Sequence, residues 1–227
     1  MSIWSPILAK LLPQDCLLCG ARSGADLLCA ACREELPGLP EPACPVCAEA
    51  SPGGMVCGAC LKTPPHFDVT FAPFRYAFPV DKLIQSLKYQ HRLATADFLA
   101  SAMLAGPRPA GDLIVPLPLS VPRLRQRGFN QAVEIARLLA RTIGLPLQLY
   151  GCTRSRDTVP QATLPWKERH KNVRHAFECA VDLSGKSVIV VDDVMTTGAT
   201  LNEFAGTLKA HGAARVTNWV AARTLRD

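Results

Sequence analysis

The stretch Val188-Ile189-Val190-Val191-Asp192-Asp193-Val194-Met195-Thr196-Thr197-Gly198-Ala199-Thr200 decides how this chain is read. Four consecutive β-branched apolar residues predict a strand buried on both faces, the signature of a central parallel strand. Two carboxylates follow at its C-terminal end, where ligands of open α/β sheets bind. Thr196 to Thr200 then opens a helix, so backbone N–H groups and threonine hydroxyls converge on one point. That arrangement makes an anion cradle. Gly198 permits close backbone approach. A phosphate in this turn lies beside two carboxylates able to accept bonds from vicinal hydroxyls, which suits a ribose 5-phosphate.

Outward from this motif, apolar strands alternate with amphipathic helices. Residues 67–78 predict one or two strands, 81–90 a helix with Leu83, Ile84 and Leu87 on one face, and 94–104 a second helix. Residues 112–119 predict a buried strand stopped by its prolines. Residues 130–143 predict a helix with Ala132, Ile135, Ala136, Leu138 and Leu139 as its stripe, and 145–150 a short strand. After the motif come a helix over 200–211 and a last strand over 215–224. Strands alternating with helices imply an α/β fold with a mostly parallel sheet flanked by helices.

Before residue 62 the character changes. Eight cysteines fall in four Cys-x-x-Cys pairs: Cys16/Cys19, Cys29/Cys32, Cys44/Cys47 and Cys57/Cys60. Each cysteine of the first half recurs 28 residues later, so this part is an internal repeat. A Cys-x-x-Cys turn aims two thiolates at one metal, and two turns complete a closed tetrahedral site of the structural kind. Two structural zinc ions are therefore expected. Sequential pairing puts Cys16, Cys19, Cys29 and Cys32 on one and Cys44, Cys47, Cys57 and Cys60 on the other; interleaved pairing is the alternative. The organisation expected is a small double zinc-ribbon module over 1–62, a hinge at Pro64-Pro65, and an α/β domain over 66–227. The module holds four basic side chains (Lys10, Arg22, Arg33, Lys62) against six acidic ones (Asp15, Asp26, Glu34, Glu35, Glu41, Glu49). Thiolate-bound zinc adds further negative charge, so the module suits a protein partner better than nucleic acid. Cys152 and Cys179 stand outside the repeat and are expected in the core.

The chain is 227 residues long with a net charge of +6. The excess sits in two expected loops: Arg123, Arg125 and Arg127 in the loop after the 112–119 strand, and Arg154, Arg156, Lys167, Arg169, Lys171 and Arg174 in a long polar segment. Both are expected to overhang the phosphate cradle. They suit a pyrophosphate group or single-stranded nucleic acid, with Phe129 and Trp166 available to stack bases. No stretch approaches the roughly 18–20 apolar residues of a membrane helix. Residues 1–16 predict a short amphipathic helix rather than an export signal, and the cytoplasm is the expected compartment.

The 188–200 motif resembles the phosphoribosyl-pyrophosphate (PRPP) signature of type I phosphoribosyltransferases. Arg127-Gly128-Phe129-Asn130-Gln131, Leu87-Lys88-Tyr89, the segment with Pro160-Gln161, Arg169, Asn172 and Phe177, and the double Cys-x-x-Cys repeat together resemble the ComF family. These are phosphoribosyltransferase-like proteins linked to DNA uptake in natural transformation. The resemblance implies a type I phosphoribosyltransferase fold. It implies that Asp192 and Asp193 hold the ribose hydroxyls, that Thr196, Thr197, Gly198, Ala199 and Thr200 hold the 5-phosphate, and that Mg²⁺ bridges ribose and pyrophosphate. Arg123 and Arg127 are the further candidates for binding PRPP, and Lys167 and Arg169, with the acid pair, for catalysis. Single-stranded DNA and another competence protein, docked through the zinc module, are the implied partners. An active transferase with an unidentified acceptor, whose base would be read by residues 66–111, and a PRPP-regulated scaffold remain open beside DNA handling.

Overall fold

The structure is a computed structural model, and it describes residues 14–155 and 175–225. The helix expected within residues 1–16 falls almost wholly outside these. So do Trp166, Lys167, Arg169, His170 and most of the second basic stretch.

The cysteine-rich part contains β1 (Gln14–Asp15), β2 (Arg22–Gly24), α1 (Ala30–Glu34) and α2 (Gly58–Lys62). Its 28-residue repeat is structural. Asp15 pairs with Arg22 as Ala43 pairs with Ala50. Cys16 N–H donates to the Ala21 carbonyl as Cys44 N–H donates to that of Glu49, each at 2.7 Å. Gly20 and Ala48 occupy the same left-handed position, and α1 and α2 start immediately after Cys29 and Cys57.

The rest of the chain contains β3 (Val69–Phe71), β4 (Phe74–Arg75), α3 (Val80–Gln90), α4 (Ala94–Ala105), β5 (Leu113–Pro116), α5 (Val121–Arg127) and α6 (Gln131–Ile143). It continues with β6 (Cys152–Arg154), β7 (Phe177–Cys179), β8 (Ser187–Met195), α7 (Ala199–Ala210) and β9 (Arg215–Arg223). The main sheet runs in the order β3-β9-β8-β5 with β4 also on β9, and every pairing in it is parallel. Strand alternation sorts β8 between two cores. Ile189 and Val191 pack with Val80, Ile84 and Leu87 of α3, Leu99 and Met103 of α4, and Ile135 and Leu139 of α6. Val188 and Val190 pack with Leu201, Phe204 and Leu208 of α7, and Cys44, Cys47 and Cys60 join that same core. The first cysteine cluster packs elsewhere, with Leu28 and Leu83, against Phe98.

Three local expectations change. Residues 145–150 form no strand: only an isolated bridge joins Leu147 to Ile114. Pro146 lacks the N–H that a ladder needs. Arg123, Arg125 and Arg127 belong to a helix, α5, not a loop. Pro122 opens that helix and Gly128 ends it in a left-handed conformation (φ 74°). Arg154 is buried in β6, its guanidinium over the Phe177 ring at 5.5 Å, so it serves the core rather than a basic groove. Cys152 and Cys179 sit directly opposite each other across β6 and β7, Sγ to Sγ 2.9 Å.

Candidate functional site

The acid pair lies inside β8, which continues past both aspartates to Met195 because β9 pairs with it to the end. Its other neighbour stops sooner. β5 pairs only as far as Val191, opposite Pro116, and the chain then turns through Leu117 and Pro118 toward α5. Asp192 and Asp193 therefore lie where one side of a central strand opens.

Gly198 makes the turn that follows. Its φ is +80°, a conformation that favours glycine, and a Cβ there would meet Met195 Cε at 2.6 Å and have to displace it. It is the N-cap of α7, whose positive end faces the turn. The Thr197 hydroxyl accepts the Ala199 N–H at 3.2 Å. Asp192, Thr196, Gly198 and Thr200 line one small recess of about 40 Å³. The structure thus brings four of the residues singled out in the motif to one recess; Asp193 and Thr197 do not line it, and Ala199 forms the first residue of the helix.

The two aspartates are not equivalent. Lys88, from the last turn of α3, forms a close ion pair with Asp193, and the Gln131 amide donates to Asp193 Oδ1 at 3.4 Å. Asp192 accepts the Asp193 backbone N–H at 2.9 Å. Burial acts against both charges. Around Asp193 it is outweighed by the Lys88 charge and by hydrogen bonds from Lys88, Asp192 and Gln131, so its carboxyl is held below the usual range. Asp192 is pushed well above the usual range by burial and by the neighbouring Asp193 charge. Burial disfavours the Lys88 charge too, yet Asp193 raises its value further. The two carboxyls are thus pushed apart, and the Lys88 cation stands against the one held low.

Arg127 extends the network outward. Its guanidinium donates to Gln131 Oε1 at 3.0 Å and lies over the exposed Tyr89 ring at 5.6 Å. Phe129 packs against His91 at 5.6 Å between centroids rather than standing clear for stacking. Arg123 sits one turn earlier on α5. Sequence reasoning did not assign roles to Lys88, Tyr89 or Gln131. The signal for Lys88 was present: it follows Leu87 directly at the edge of the buried stripe of α3, where a lysine needs a buried partner.

The eight repeat cysteines form two groups, Cys16, Cys19, Cys29 and Cys32 in one and Cys44, Cys47, Cys57 and Cys60 in the other. Within each, all four sulfurs lie within 4.8 Å of one another. The pairing is sequential. Cys19 and Cys29 sulfurs are 3.7 Å apart and Cys47 and Cys57 sulfurs 3.6 Å. A zinc tetrahedron with bonds of about 2.3 Å has edges of about 3.8 Å. Burial opposes ionisation of Cys16 and Cys44. Even so, backbone N–H groups of Cys19, Cys29 and Leu18 hold Cys16 at about 6, and those of Cys57, Cys47 and Val46 hold Cys44 at about 7. Both clusters fit structural zinc.

Comparison with known proteins agrees with this geometry. A double zinc ribbon domain matches residues 7–61 and a phosphoribosyl transferase domain residues 128–225. DNA utilization protein YhgH of Escherichia coli (strain K12) is 35% identical over 191 residues, spanning 80% of this chain and 84% of that one. The chain belongs to the ComF family. Its relatives in that family include competence protein F of Haemophilus influenzae, 32% identical over 86% of this chain and 90% of that one. Another is competence protein ComFC of Bacillus subtilis, 25% identical over 92% and 95%. Among solved structures, a glutamine PRPP amidotransferase from B. subtilis, complexed with ADP and GMP, aligns over 54% of this ComF-family chain and 25% of its own. The identity is 21% and the TM-score 0.39.

Proposed function

We propose that this ComF-family chain binds PRPP with Mg²⁺ at Asp192 to Thr200 and acts in DNA uptake or utilisation in the cytoplasm. The observation that carries the ligand reading is the shared recess of Asp192, Thr196, Gly198 and Thr200, at the N-terminus of α7 and at the open side of β8. The 5-phosphate takes the backbone N–H groups of the turn. The ribose hydroxyls donate to the acid pair, with Asp193 charged and braced by Lys88. Mg²⁺, when bound, neutralises pyrophosphate charge. Arg123 and Arg127 on α5 are the described cations assigned to the same end of the ligand, and Lys167 and Arg169 complete that assignment from sequence. Turnover would require the anomeric carbon to meet an acceptor, which makes the chain either a transferase or a sensor of PRPP.

The test is calorimetry with PRPP and Mg²⁺ on the wild type and on the double variant Asp192→Asn with Asp193→Asn. We expect binding in the wild type and at least a hundredfold loss in the variant. Equal affinity in both would overturn the assignment.

Single-stranded DNA is the second ligand this reading includes. It rests on the names of the relatives and on the arginines of α5, one of which stacks on the exposed Tyr89 ring, a pairing suited to a base and its phosphate. Affinity for an oligonucleotide should fall steeply with salt, and the slope should flatten when Arg123, Arg125 and Arg127 are changed to Ala. A salt-independent affinity would remove DNA from the reading and leave the acidic zinc module, docked on a protein partner, as the link to DNA uptake.

A further inference from the structure

The last residue of β9, Arg223, joins two sites that the sequence keeps far apart. It is 2% exposed, and its guanidinium is fully engaged. Nε donates to the carbonyl of Cys47 at 2.9 Å. One terminal nitrogen donates to the carbonyls of Met195 at 3.3 Å, of Thr196 and of Thr224. The other donates to Glu49 Oε2 at 3.2 Å. Cys47 belongs to the second cysteine cluster. Glu49 braces that cluster as well, since its carbonyl accepts the Cys44 N–H. Met195 and Thr196 lead into the phosphate turn, and Met195 Cε lies directly beneath Gly198. A planar, rigid guanidinium therefore fixes the position of a metal-ligand carbonyl relative to that of the turn.

We infer that Arg223 is a positioning residue that couples metal occupancy of the Cys44–Cys47–Cys57–Cys60 cluster to the shape of the phosphate turn. The inference deepens the PRPP reading by naming a regulation of that same site. With metal bound, the knuckle between Cys44 and Cys47 would be held by two metal bonds, and the Cys47 carbonyl and the Glu49 carboxylate orient the guanidinium. The guanidinium in turn holds Thr196 where the recess needs it. Metal loss frees the Cys47 carbonyl and removes one arm of the bridge. Coupling of this kind is reciprocal: ligand in the turn must retain metal in the cluster. The first cluster supplies the internal control, because it packs on Leu83 and Phe98 instead.

Hydrogen exchange tests the coupling without any ligand. In the zinc-loaded chain, amides of residues 196–201 are compared with those of residues 188–191, which report the core. Variants lacking one cluster are compared next: Cys57→Ser with Cys60→Ser, and Cys29→Ser with Cys32→Ser. Loss of the second cluster should speed exchange in the turn about tenfold while residues 188–191 stay protected; loss of the first should leave the turn unchanged. Arg223→Lys keeps the charge opposite Glu49 but not the fork, and with both zinc ions retained it should loosen the turn to a similar degree. It also covers the case in which the cysteine variants fail to fold. A turn indifferent both to the second cluster and to Arg223→Lys would overturn the proposal. The reciprocal arm uses PRPP with Mg²⁺ and a zinc-selective chelator. Release from the second cluster should slow about tenfold, with release from the first unchanged. If calorimetry detects PRPP and release is unaltered, the coupling is wrong and the ligand reading stands. If exchange responds as expected but PRPP does not bind, the coupling stands and the ligand reading is wrong.

Discussion

The two cysteine clusters are near-copies with different neighbours. Their turns, hydrogen bonds and short helices superimpose at an offset of 28 residues, down to the left-handed residue after each first pair. Yet Cys19 is exposed, whereas Cys44, Cys47 and Cys60 are buried in the core shared with α7 and β8. One local design thus serves two purposes, and what separates them is the surface each copy lies against. The acid pair repeats the lesson on a smaller scale. Asp192 and Asp193 are the same residue type one position apart. Only Asp193 is ion-paired with Lys88, so its carboxyl is held low while that of Asp192 is driven up.

The contrast between the clusters can be broken most directly by removing one ligand from each. Cys60→Ser should lower the thermal midpoint by about 10–15 °C, because it opens a metal site inside the main core. Cys32→Ser should cost about half as much. Equal losses would mean that the shared core does not depend on the second metal.

The contrast within the acid pair is next in size. Asp193→Asn leaves the Lys88 cation buried without its partner, a change that costs about 3–5 kcal/mol and so about 10 °C. Asp193 has a folded pKa below its unfolded value, so its stabilising contribution is present at neutral pH and is lost as pH falls through the folded value. The variant should therefore show a flatter acid dependence below about pH 4. Thermal melts across that range check both statements.

Asp192→Asn should do the opposite. Its folded pKa is raised, so ionisation in the unfolded chain draws stability away as pH climbs above about 4 toward the folded value. An amide that mimics the protonated carboxyl removes that loss. The midpoint at pH 7 should equal the wild-type value or exceed it by about 2–4 °C, while PRPP affinity falls. A marked destabilisation would show that Asp192 is charged in the fold.

The smallest effect sharpens the role of α5. Its arginines make few core contacts, so the Arg123, Arg125 and Arg127 triple Ala variant should shift the midpoint by less than about 2 °C. Any large change in DNA or PRPP affinity would then report on binding and not on folding.

Much of this was written in the chain. The four Cys-x-x-Cys pairs carry their own spacing, and spacing alone determines which thiols a tight turn can bring together. β8 and the turn after it are equally local: four apolar residues demand burial, and Gly198 occupies a backbone conformation that favours glycine. The misread segments were those where long-range packing decides. Residues 145–150 looked like a strand by composition, but Pro146 could not support a ladder. Arg154 looked like part of a charged surface, yet a cation on the edge of β6 found Phe177 to cover. Residues 121–127 read as a basic loop because helix 121–127 has no buried stripe to announce it.

What the sequence by itself determined, then, is the alternation of strands and helices, a glycine turn beside two acids, and four Cys-x-x-Cys turns. Each follows from neighbours within about a dozen residues. Which aspartate pairs with Lys88, which cysteines share a site, and how the second thiol site meets the Gly198 turn were decided only in three dimensions. Lys88 reaches Asp193 across a separation of 105 positions, and Arg223 reaches Cys47 across one of 176. Neither contact has a local pattern, because a buried charge shows its partner only after the sheet has brought the two together.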